Sequence, residues 1–314
     1  MGVDEIRREK EEIEARYGPW TAHNVRLADG LYTMSPEPSG DEVKLRRVVQ
    51  LVHDVFDRIE GLRVLDLACL EGMYALELAA RGADVIAIEG RERNLAKARF
   101  AARVLGLDQR VDFQLGDVRD LSLERHGEFD AILCLGILYH LDAPDVFPFV
   151  DRLAEACRRA LIVDTNVSLA PRDEHRRSGA LYKGESLFEH DPSSSEEERL
   201  QAVWSSLDNQ TAWVPTRPSL VSLLGRAGFT SVAECWVPAE PEKTPGRITL
   251  LALNGRLQEP QLTPAPPSDR DAVPEQPPLG ARLAGTRVWR LGRFLPSPLR
   301  ARVRRVLAAE TRRH

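Results

Sequence analysis

Several residue types that carry recognisable chemistry are scarce in this 314-residue chain, and each scarcity excludes a class of protein. There are four cysteines and none has metal-ligand spacing, so we expect neither a disulfide framework nor a metal centre. No apolar run approaches the roughly 20 residues that a membrane-spanning helix needs. The chain starts with the charged segment 4–16 instead of a signal peptide, which predicts a cytoplasmic protein.

Glycine is also scarce in the stretch around which the chain is organised. An apolar run at 64–67, containing Asp66, leads through a short turn into a helical pattern at 73–80. This order of strand, turn and helix is the opening half of a βαβ unit. A dinucleotide-binding turn needs three glycines, whereas this turn has only Gly72 and places Glu71 beside it. A carboxylate there would repel a pyrophosphate, so the expected ligand is a nucleoside without phosphates.

The next predicted strand, 83–89, ends in an acid, Glu89, 17 residues after Gly72. A doubly wound fold places its acceptor for ribose hydroxyls at this position. With Asp66, these residues resemble the first two motifs of class I S-adenosylmethionine-dependent methyltransferases. The usual motif of that family has three glycines in the turn. In this sequence Ala68 and Leu70 replace the first two, and Gly72 keeps the third.

The resemblance implies that the cofactor is S-adenosyl-L-methionine and indicates which residues bind it. Asp66 would anchor the amino end of the cofactor, and Glu89 would accept both ribose hydroxyls because a carboxylate offers two oxygens. Asp117 would accept the adenine amino group. The implied set is Asp66, Ala68, Leu70, Gly72, Glu89, Gly90, Asn94, Asp117, Val118 and Leu135. Structural roles remain as alternatives: a strand-end acid for Asp66, the helix surface for Asn94 and the core for Leu135.

The rest of the pattern predicts an α/β fold. Strands alternate with helices as far as residue 166, which indicates a doubly wound, Rossmann-like, mostly parallel sheet of seven strands, the class I methyltransferase fold. The last two strands would form an antiparallel hairpin at the sheet edge. Beyond those above, the sequence predicts strands at 110–115, 129–135, 160–165, 229–237 and 246–254 and helices at 41–60, 91–105, 143–158 and 218–227.

The predicted domain organisation has four parts. Residues 1–60 would form an N-terminal helix and flap, and residues 61–255 the methyltransferase core. The flap segment 20–33 has an alternative role as a β-hairpin that covers a sheet edge. The core contains a polar insertion at about 167–215, which we interpret as a cover over the substrate because long insertions in compact domains are usually functional or disordered. Seven prolines predict a linker at 256–280.

The fourth part, residues 281–314, is a basic amphipathic tail. Its ten arginines, one glutamate and one histidine give a formal charge of +9, which leaves −14 for residues 1–280 because the whole chain carries −5. Docking on the acidic core or on a protein partner is the first interpretation of this tail. A membrane surface comes second and nucleic acid, including tRNA, comes third.

The segment 136–144 lies where the methyl group should emerge. Methyl transfer needs an aligned nucleophile and a group that removes its proton. His140 is the candidate base, with an alternative role of only orienting its loop. Tyr139 would shape the acceptor pocket, and His23 and His175 are rival bases from the two predicted covering segments.

Tyr139 and His140, together with segments 20–33 and 209–219, also resemble the bacterial wobble-uridine tRNA carboxymethyltransferases over about residues 17–255. Those enzymes have a longer helical N-terminal region and keep the glycines of the turn. We therefore favour methyl transfer to an O or N nucleophile of a small-molecule, sugar or natural-product acceptor. Modification of tRNA and a catalytically silent S-adenosylmethionine-binding module remain the alternatives.

Overall fold

The computed structural model describes residues 1–38, 40–240, 244–258 and 260–262. Most of the predicted linker 256–280 and all of the predicted tail 281–314 lie outside these residues. Within the described ranges, no helix is both long enough and apolar enough to cross a membrane.

Helices and strands alternate along the described chain. The helices are α1 Val3–Tyr17, α2 Asp41–Phe56, α3 Met73–Ala80, α4 Glu92–Leu105, α5 Leu123–His126, α6 Ala143–Ala156, α7 Glu196–Gln201 and α8 Arg217–Ala227. Two short 3₁₀ turns span Val118–Asp120 and Leu138–His140. The strands are β1 Arg26–Ala28, β2 Leu31–Tyr32, β3 Arg63–Leu67, β4 Asp84–Glu89, β5 Val111–Leu115, β6 Phe129–Leu135, β7 Cys157–Asn166, β8 Asp173–Arg177, β9 Ala180–Phe188, β10 Thr211–Pro215, β11 Ser231–Glu234 and β12 Arg247–Leu253.

The predicted seven-stranded sheet is confirmed. Its strand order is β11-β12-β7-β6-β3-β4-β5, and the five strands from β3 to β7 run parallel. β12 is antiparallel to β7 and β11 is antiparallel to β12, so these two form the predicted edge hairpin. The chain runs outward from β3 to β5 and then returns to β6 on the other side of β3. The sheet therefore has its topological switch point between β3 and β6, where such folds bind ligands.

The central strands are apolar on both faces because helices cover both. Val64, Leu133 and Ile162 pack with buried residues of α2, α3 and α4 on one face. Leu65 and Ile132 pack with α6 and α8 on the other face. Burial on both faces explains why these strands appear in the sequence as continuous apolar runs.

The segment before the core forms a small sheet of its own. β1 and β2 pair antiparallel with each other and belong to no larger sheet. The 20–33 segment therefore contains a β-hairpin, and its roles as a flap or as a cover on a sheet edge both stay predictions. Residues Ala22 and His23, just before β1, line the main cavity.

The insertion contains a sheet that the sequence pattern did not indicate. β8, β9 and β10 form a three-stranded antiparallel sheet in the order β10-β9-β8. Its buried Trp213 and Tyr182 contact the ring of Phe147 on α6, with ring centroids 5.5 and 5.2 Å apart. The strands were missed because the outward positions of β8 and β9 carry many charged residues, which resemble a loop. The insertion is thus joined to the core by an aromatic cluster.

Candidate cofactor and acceptor site

A cavity of about 370 Å³ lies at the carboxyl ends of the central strands, at the switch point. Its walls come from the N-terminal region, the turn after β3, the ends of β4 and β6, the insertion and the approach to β12. The lining residues are Ala22, His23, Asp41, Lys44, Asp66, Ala68, Cys69, Leu70, Tyr74, Glu89, Gly90, Arg91, Gly116, Val118, Leu135, Gly136, Ile137, Tyr139, His140, Val203, Trp204, Ser205, Ser206, Leu207, Glu240, Thr244 and Arg247. The volume is within the range of small-molecule sites, roughly 300–1,000 Å³.

Three residues of the turn after β3 have a left-handed backbone, the conformation that favours glycine, although only one of them is glycine. Ala68 and Leu70 have φ angles of +53° and +48°, and Gly72 has +83°. The left-handed region costs a residue with a Cβ about 1–2 kcal/mol. At Gly72 a Cβ would also lie 3.0 Å from the Cβ of Ala98 and 3.1 Å from the ring of Phe113. At Gly72 a side chain is therefore disfavoured both by the backbone conformation and by close contacts with neighbouring side chains.

We expect Ala68→Gly to raise the free energy of unfolding by up to about 1 kcal/mol. Glycine relieves the left-handed strain, and its greater freedom in the unfolded chain offsets part of the gain. Denaturant unfolding of the cofactor-free protein measures the change. Gly72→Ala is the matched control and should destabilise the protein, because its Cβ meets Ala98. A loss of stability in Ala68→Gly would show that the turn is not strained there.

Asp66 lines the cavity, and one of its two carboxylate oxygens has no hydrogen-bond partner among the described residues. The residue is 1% exposed, and its Oδ2 has no hydrogen-bond partner. Burial raises the pKa of Asp66 to about 7, although the backbone N–H of Ala75 opposes the shift. A buried acceptor without a partner is costly unless a ligand supplies a donor. The site therefore suits a ligand with a cationic amino group, as S-adenosylmethionine has.

Glu89 is held rigidly at the end of β4. Its Oε2 accepts the backbone N–H of Leu70 at 3.0 Å, and its Oε1 accepts the backbone N–H of Arg91 at 2.9 Å and Nδ2 of Asn94 at 3.2 Å. Burial raises the pKa of Glu89 even though these donors act in the other direction. Each carboxylate oxygen has about two acceptor positions, so Oε2 keeps one for a hydroxyl group. The carboxylate therefore has room for one ribose hydroxyl instead of the two that were expected, and the ribose contact stays a prediction.

Glu89→Ala should weaken binding of S-adenosylhomocysteine by about 2–3 kcal/mol, or roughly 30–150-fold, because charge-assisted hydrogen bonds are lost. Isothermal titration calorimetry measures the affinity. Glu92→Ala is a suitable control, since Glu92 is exposed on α4 and pairs with Arg99. Equal affinities in the parent and in Glu89→Ala would refute the ribose assignment.

Some of the other residues predicted to bind the cofactor line the cavity, and others do not. Ala68, Leu70, Gly90, Val118 and Leu135 line it, whereas Gly72 and Asn94 support the turn and Glu89 from outside the lining.

Asp117 is also outside the lining, although its neighbour Gly116 is part of it. Its two oxygens bind the Nε and Nη2 of Arg119 at 3.0 and 2.6 Å. The same guanidinium group bonds Asp208 of the insertion at 2.7 Å. The contact of Asp117 with an adenine amino group stays a prediction, and it would compete with Arg119.

His140 and Tyr139 lie together on the cavity wall. The Nδ1 of His140 is 2.9 Å from Oε2 of Glu189, and its backbone carbonyl accepts Nδ2 of Asn209 at 2.8 Å. The ring of Tyr139 faces the guanidinium group of Arg247, 5.0 Å from the ring centroid. Glu189 was not predicted, since no motif marks a single glutamate at the end of a strand.

The two rival bases lie in different surroundings. His23 lines the cavity, but its Nδ1 accepts the backbone N–H of Met73 at 3.1 Å, and burial lowers its pKa to about 4. A neutral imidazole with such a low pKa is a weak base. His175 is outside the lining and packs against Trp213 and Phe147, with ring centroids 5.0 and 6.3 Å away.

Glu71 has a role that differs from the one the sequence suggested. Its carboxylate is fully buried, and it accepts the backbone N–H groups of residues 21, 22 and 23 at 2.8–3.0 Å. Its Oε1 is 3.1 Å from Nζ of Lys97. Burial opposes ionisation, but these donors hold the pKa of Glu71 below its usual range. Glu71 therefore fixes the N-terminal segment against the core and is not part of the cavity lining.

Part of the insertion lines one side of the cavity, and its role as a cover over the substrate stays a prediction. The guanidinium group of Arg91 donates to the carbonyls of Leu200, Ala202, Ser205 and Ser206 at 2.9–3.1 Å. A Cβ at Gly90 would collide with the side chain of Leu207. The residues after Glu89 thus hold segment 199–207 over the site.

The wall near Tyr139 is polar, and its charged side chains form ion pairs with neighbouring residues. Arg247 donates through Nε to the buried Asp164 at 2.7 Å, and Nζ of Lys44 is 3.7 Å from the same carboxylate. Asp41 is 3.9 Å from Lys44. Lys44, Arg247 and Asp41 line the cavity, whereas Asp164 lies outside the lining, so this wall offers both donors and acceptors to a ligand.

Comparison with known proteins agrees with this geometry. Residues 64–160 match the family model described as a methyltransferase domain. The sheet, the strand order and the position of the cavity are those of the same class. Residues 64–160 therefore match a methyltransferase domain, and the sheet that contains them has the class I methyltransferase fold.

Two curated relatives each match about a third of the chain. The magnesium-protoporphyrin O-methyltransferase of Rhodobacter capsulatus is 32% identical over 108 residues, which are 34% of this chain and 46% of that protein. The ubiquinone biosynthesis O-methyltransferase of Dechloromonas aromatica is 33% identical over 111 residues, 34% of this chain and 47% of that protein. The chain thus spans about half the length of the curated relatives it matches.

A solved structure extends the likeness beyond the methyltransferase domain. The N-terminal domain of EvdMO1, crystallised in the presence of SAH and D-fucose, has a TM-score of 0.60 and 25% sequence identity. The match covers 82% of this chain and 98% of that one.

Proposed function

We propose that this protein transfers a methyl group from S-adenosylmethionine to a hydroxyl group of a small, sugar-like acceptor. The observation that carries the proposal is the cavity at the switch point, which brings the unpaired carboxylate oxygen of Asp66, the fixed carboxylate of Glu89 and the imidazole of His140 to one space. No one of these residues defines the site alone, because strand-end acids and loop histidines are common.

The cofactor would be held by residues of the turn and of the strand ends. Asp66 would accept from its amino group and Glu89 from its ribose. Val118 and Leu135 line the cavity and would pack against the adenine ring. When bound, S-adenosylmethionine supplies an electrophilic methyl group on sulfur and leaves as S-adenosylhomocysteine after the acceptor oxygen has formed its bond to carbon.

The protein's own contribution would be alignment and removal of one proton. His140 would take the proton of the acceptor hydroxyl as the new O–C bond forms, and would later release it to water. Tyr139 would orient the acceptor, since its ring lies against Arg247 on the same wall. His23 would act as a fixed neutral wall of the cavity, because burial holds its pKa at about 4.

Two features support a sugar-like acceptor. Trp204 lines the cavity and is 64% exposed, so its ring is open to the flat face of a small molecule. The wall that contains Lys44, Arg247 and Asp41 offers both donors and acceptors to hydroxyl groups. The curated relatives are named as O-methyltransferases, and the EvdMO1 domain was crystallised in the presence of a sugar. These names favour an oxygen nucleophile over nitrogen.

The finer resemblance to the wobble-uridine tRNA enzymes stays a prediction. It rests on Tyr139, His140 and the flanking segments, whereas the relatives reported above are named for small-molecule reactions. Contacts of the basic tail with a protein partner or a membrane surface also stay predictions, since residues 281–314 lie outside the described ranges.

The test is a product search with S-adenosylmethionine that carries a deuterated methyl group. The purified protein is incubated with monosaccharides, sugar nucleotides, phenols and total tRNA, and mass spectrometry detects the labelled methyl group and its position. We expect label on oxygen of a sugar-like compound. Label only in tRNA would favour the tRNA alternative. Tight binding of S-adenosylhomocysteine with no labelled product would favour the silent binding module.

A further inference from the structure

A carboxylate from the insertion reaches the imidazole that the proposed function uses as a base. Glu189 directly follows β9, 49 residues after His140 in the chain. Its two oxygens lie 3.0 and 2.9 Å from Nδ1 of His140. Because Nδ1 faces Glu189, Nε2 is the ring nitrogen that remains for an acceptor in the cavity, which His140 lines.

Both partners are fixed. The side chain of Glu189 is 9% exposed, and its Oε2 accepts the backbone N–H of Ser206 at 2.7 Å. Burial acts against ionisation of Glu189, but the hydrogen bonds from His140 and Ser206 hold its pKa below the usual range. Asn209 binds the backbone carbonyl of His140 at 2.8 Å and fixes the base from the other side.

An ionised carboxylate only accepts hydrogen bonds. Next to Glu189, Nδ1 of a neutral His140 must therefore carry the ring hydrogen, and the lone pair is on Nε2. This is the form of imidazole that takes a proton from a substrate, and a neighbouring carboxylate also stabilises the imidazolium that results.

We infer that Glu189 is a positioning residue that fixes the tautomer of His140, so that the insertion completes the active site besides covering it. The inference rests on the proposed function. The proton moves from the acceptor hydroxyl to Nε2 of His140, the Nδ1 hydrogen stays in place, and Glu189 keeps its negative charge throughout. Arg91 supports this arrangement because it holds the carbonyl of Ser206, the residue whose N–H binds Glu189.

The first measurement does not depend on turnover. In protein labelled with ¹⁵N-histidine, two-bond NMR correlations report the tautomer of each imidazole, and His140→Ala assigns the signal. We expect the hydrogen on Nδ1 in the parent. In Glu189→Gln we expect it on Nε2, since the carboxamide can donate to Nδ1. A parent with the hydrogen on Nε2, or a tautomer unchanged in the variant, would overturn the inference.

The second measurement is a double-mutant cycle on turnover. Glu189→Gln should lower the turnover rate by roughly tenfold or more in the parent. In the His140→Ala background it should have less than about a twofold effect, since the residue it positions is gone. Affinity for S-adenosylhomocysteine should stay within about twofold of the parent's, because Glu189 does not line the cofactor end. An equal loss in both backgrounds would show that Glu189 only holds the insertion in place.

Glu185→Gln is the matched control. It makes the same change on β9, where Glu185 contacts Ser168 and Arg172 and is not part of the cavity lining. It should leave the tautomer and the rate unchanged. If no acceptor is turned over at all, the proposed function fails, whereas the NMR result still decides the inference about Glu189.

Discussion

Replacing His140 by alanine is expected to lower turnover by roughly 10²-fold or more while the affinity for S-adenosylhomocysteine stays nearly unchanged. General base catalysis contributes an effect of this size, and His140 lines the cavity with its Nδ1 paired to Glu189. The measurement is the rate of single turnover at saturating cofactor. A large loss in rate without a loss in affinity separates a base from a residue that only shapes the site.

The pH dependence of the turnover rate provides a second test of the role of His140. In the parent the rate should rise with pH as the base loses its proton, and this limb should be absent in His140→Ala. His53→Ala, which changes an exposed histidine on α2, should keep the limb and the parent rate. A flat parent profile between about pH 6 and 9 would contradict the role of His140 as base without contradicting methyl transfer.

Asp66→Asn is expected to have opposite effects on binding and on stability. Binding of S-adenosylhomocysteine should weaken by about 3 kcal/mol, or roughly 150-fold, because the buried partner of its amino group loses its charge. The cofactor-free variant should nevertheless unfold at a higher denaturant concentration than the parent at pH 8. Burial without a partner for Oδ2 makes the ionised carboxylate unfavourable, and asparagine removes that charge.

The sign of the pH dependence follows from the raised pKa of about 7 for Asp66. Above pH 7 the carboxylate is ionised in the folded and the unfolded chain, so the folded state bears the full cost of the buried charge. Below the unfolded pKa of roughly 4 it is protonated in both states and the cost vanishes. The stability advantage of Asp66→Asn should therefore grow as pH rises from about 4 to 7.

Cofactor binding should depend on pH in the complementary way. The ionised form of Asp66 is the one that pairs with an ammonium group, so the affinity of the parent should fall by up to about tenfold per pH unit below 7. Asp66→Asn should lose this dependence. Asp84→Asn, at an exposed carboxylate that pairs with Arg110, is the control and should behave like the parent. A parent affinity independent of pH from 5 to 8 would mean that Asp66 does not bind the amino group.

The sequence by itself determined the sheet and the strand ends at which the cavity lies. Runs of apolar residues at 64–67, 129–135 and 160–165 became strands because both of their faces are covered by helices. Glu89 could be placed at the end of the second strand from the apolar pattern, and its contact with a ribose stays a prediction. The spacing of residues is sufficient to predict a structural element when that element and its adjoining turn are formed by residues close together in the sequence.

The backbone conformation of the turn after β3 could not be predicted from residue preferences. Ala68 and Leu70 depart from the glycines of the family motif, yet both adopt the left-handed backbone that the turn requires. Propensity disfavours this conformation, but the surrounding packing can enforce it at a small cost.

Only the tertiary structure decided how distant segments complete the site. Glu189 meets His140 across 49 residues, Arg91 holds carbonyls more than 100 residues away, and Glu71 binds backbone about 50 residues earlier. No periodicity records such pairs, because each depends on where separate elements pack. A single glutamate in an insertion has no signature in the sequence, and its role appears only when folding buries it beside an imidazole.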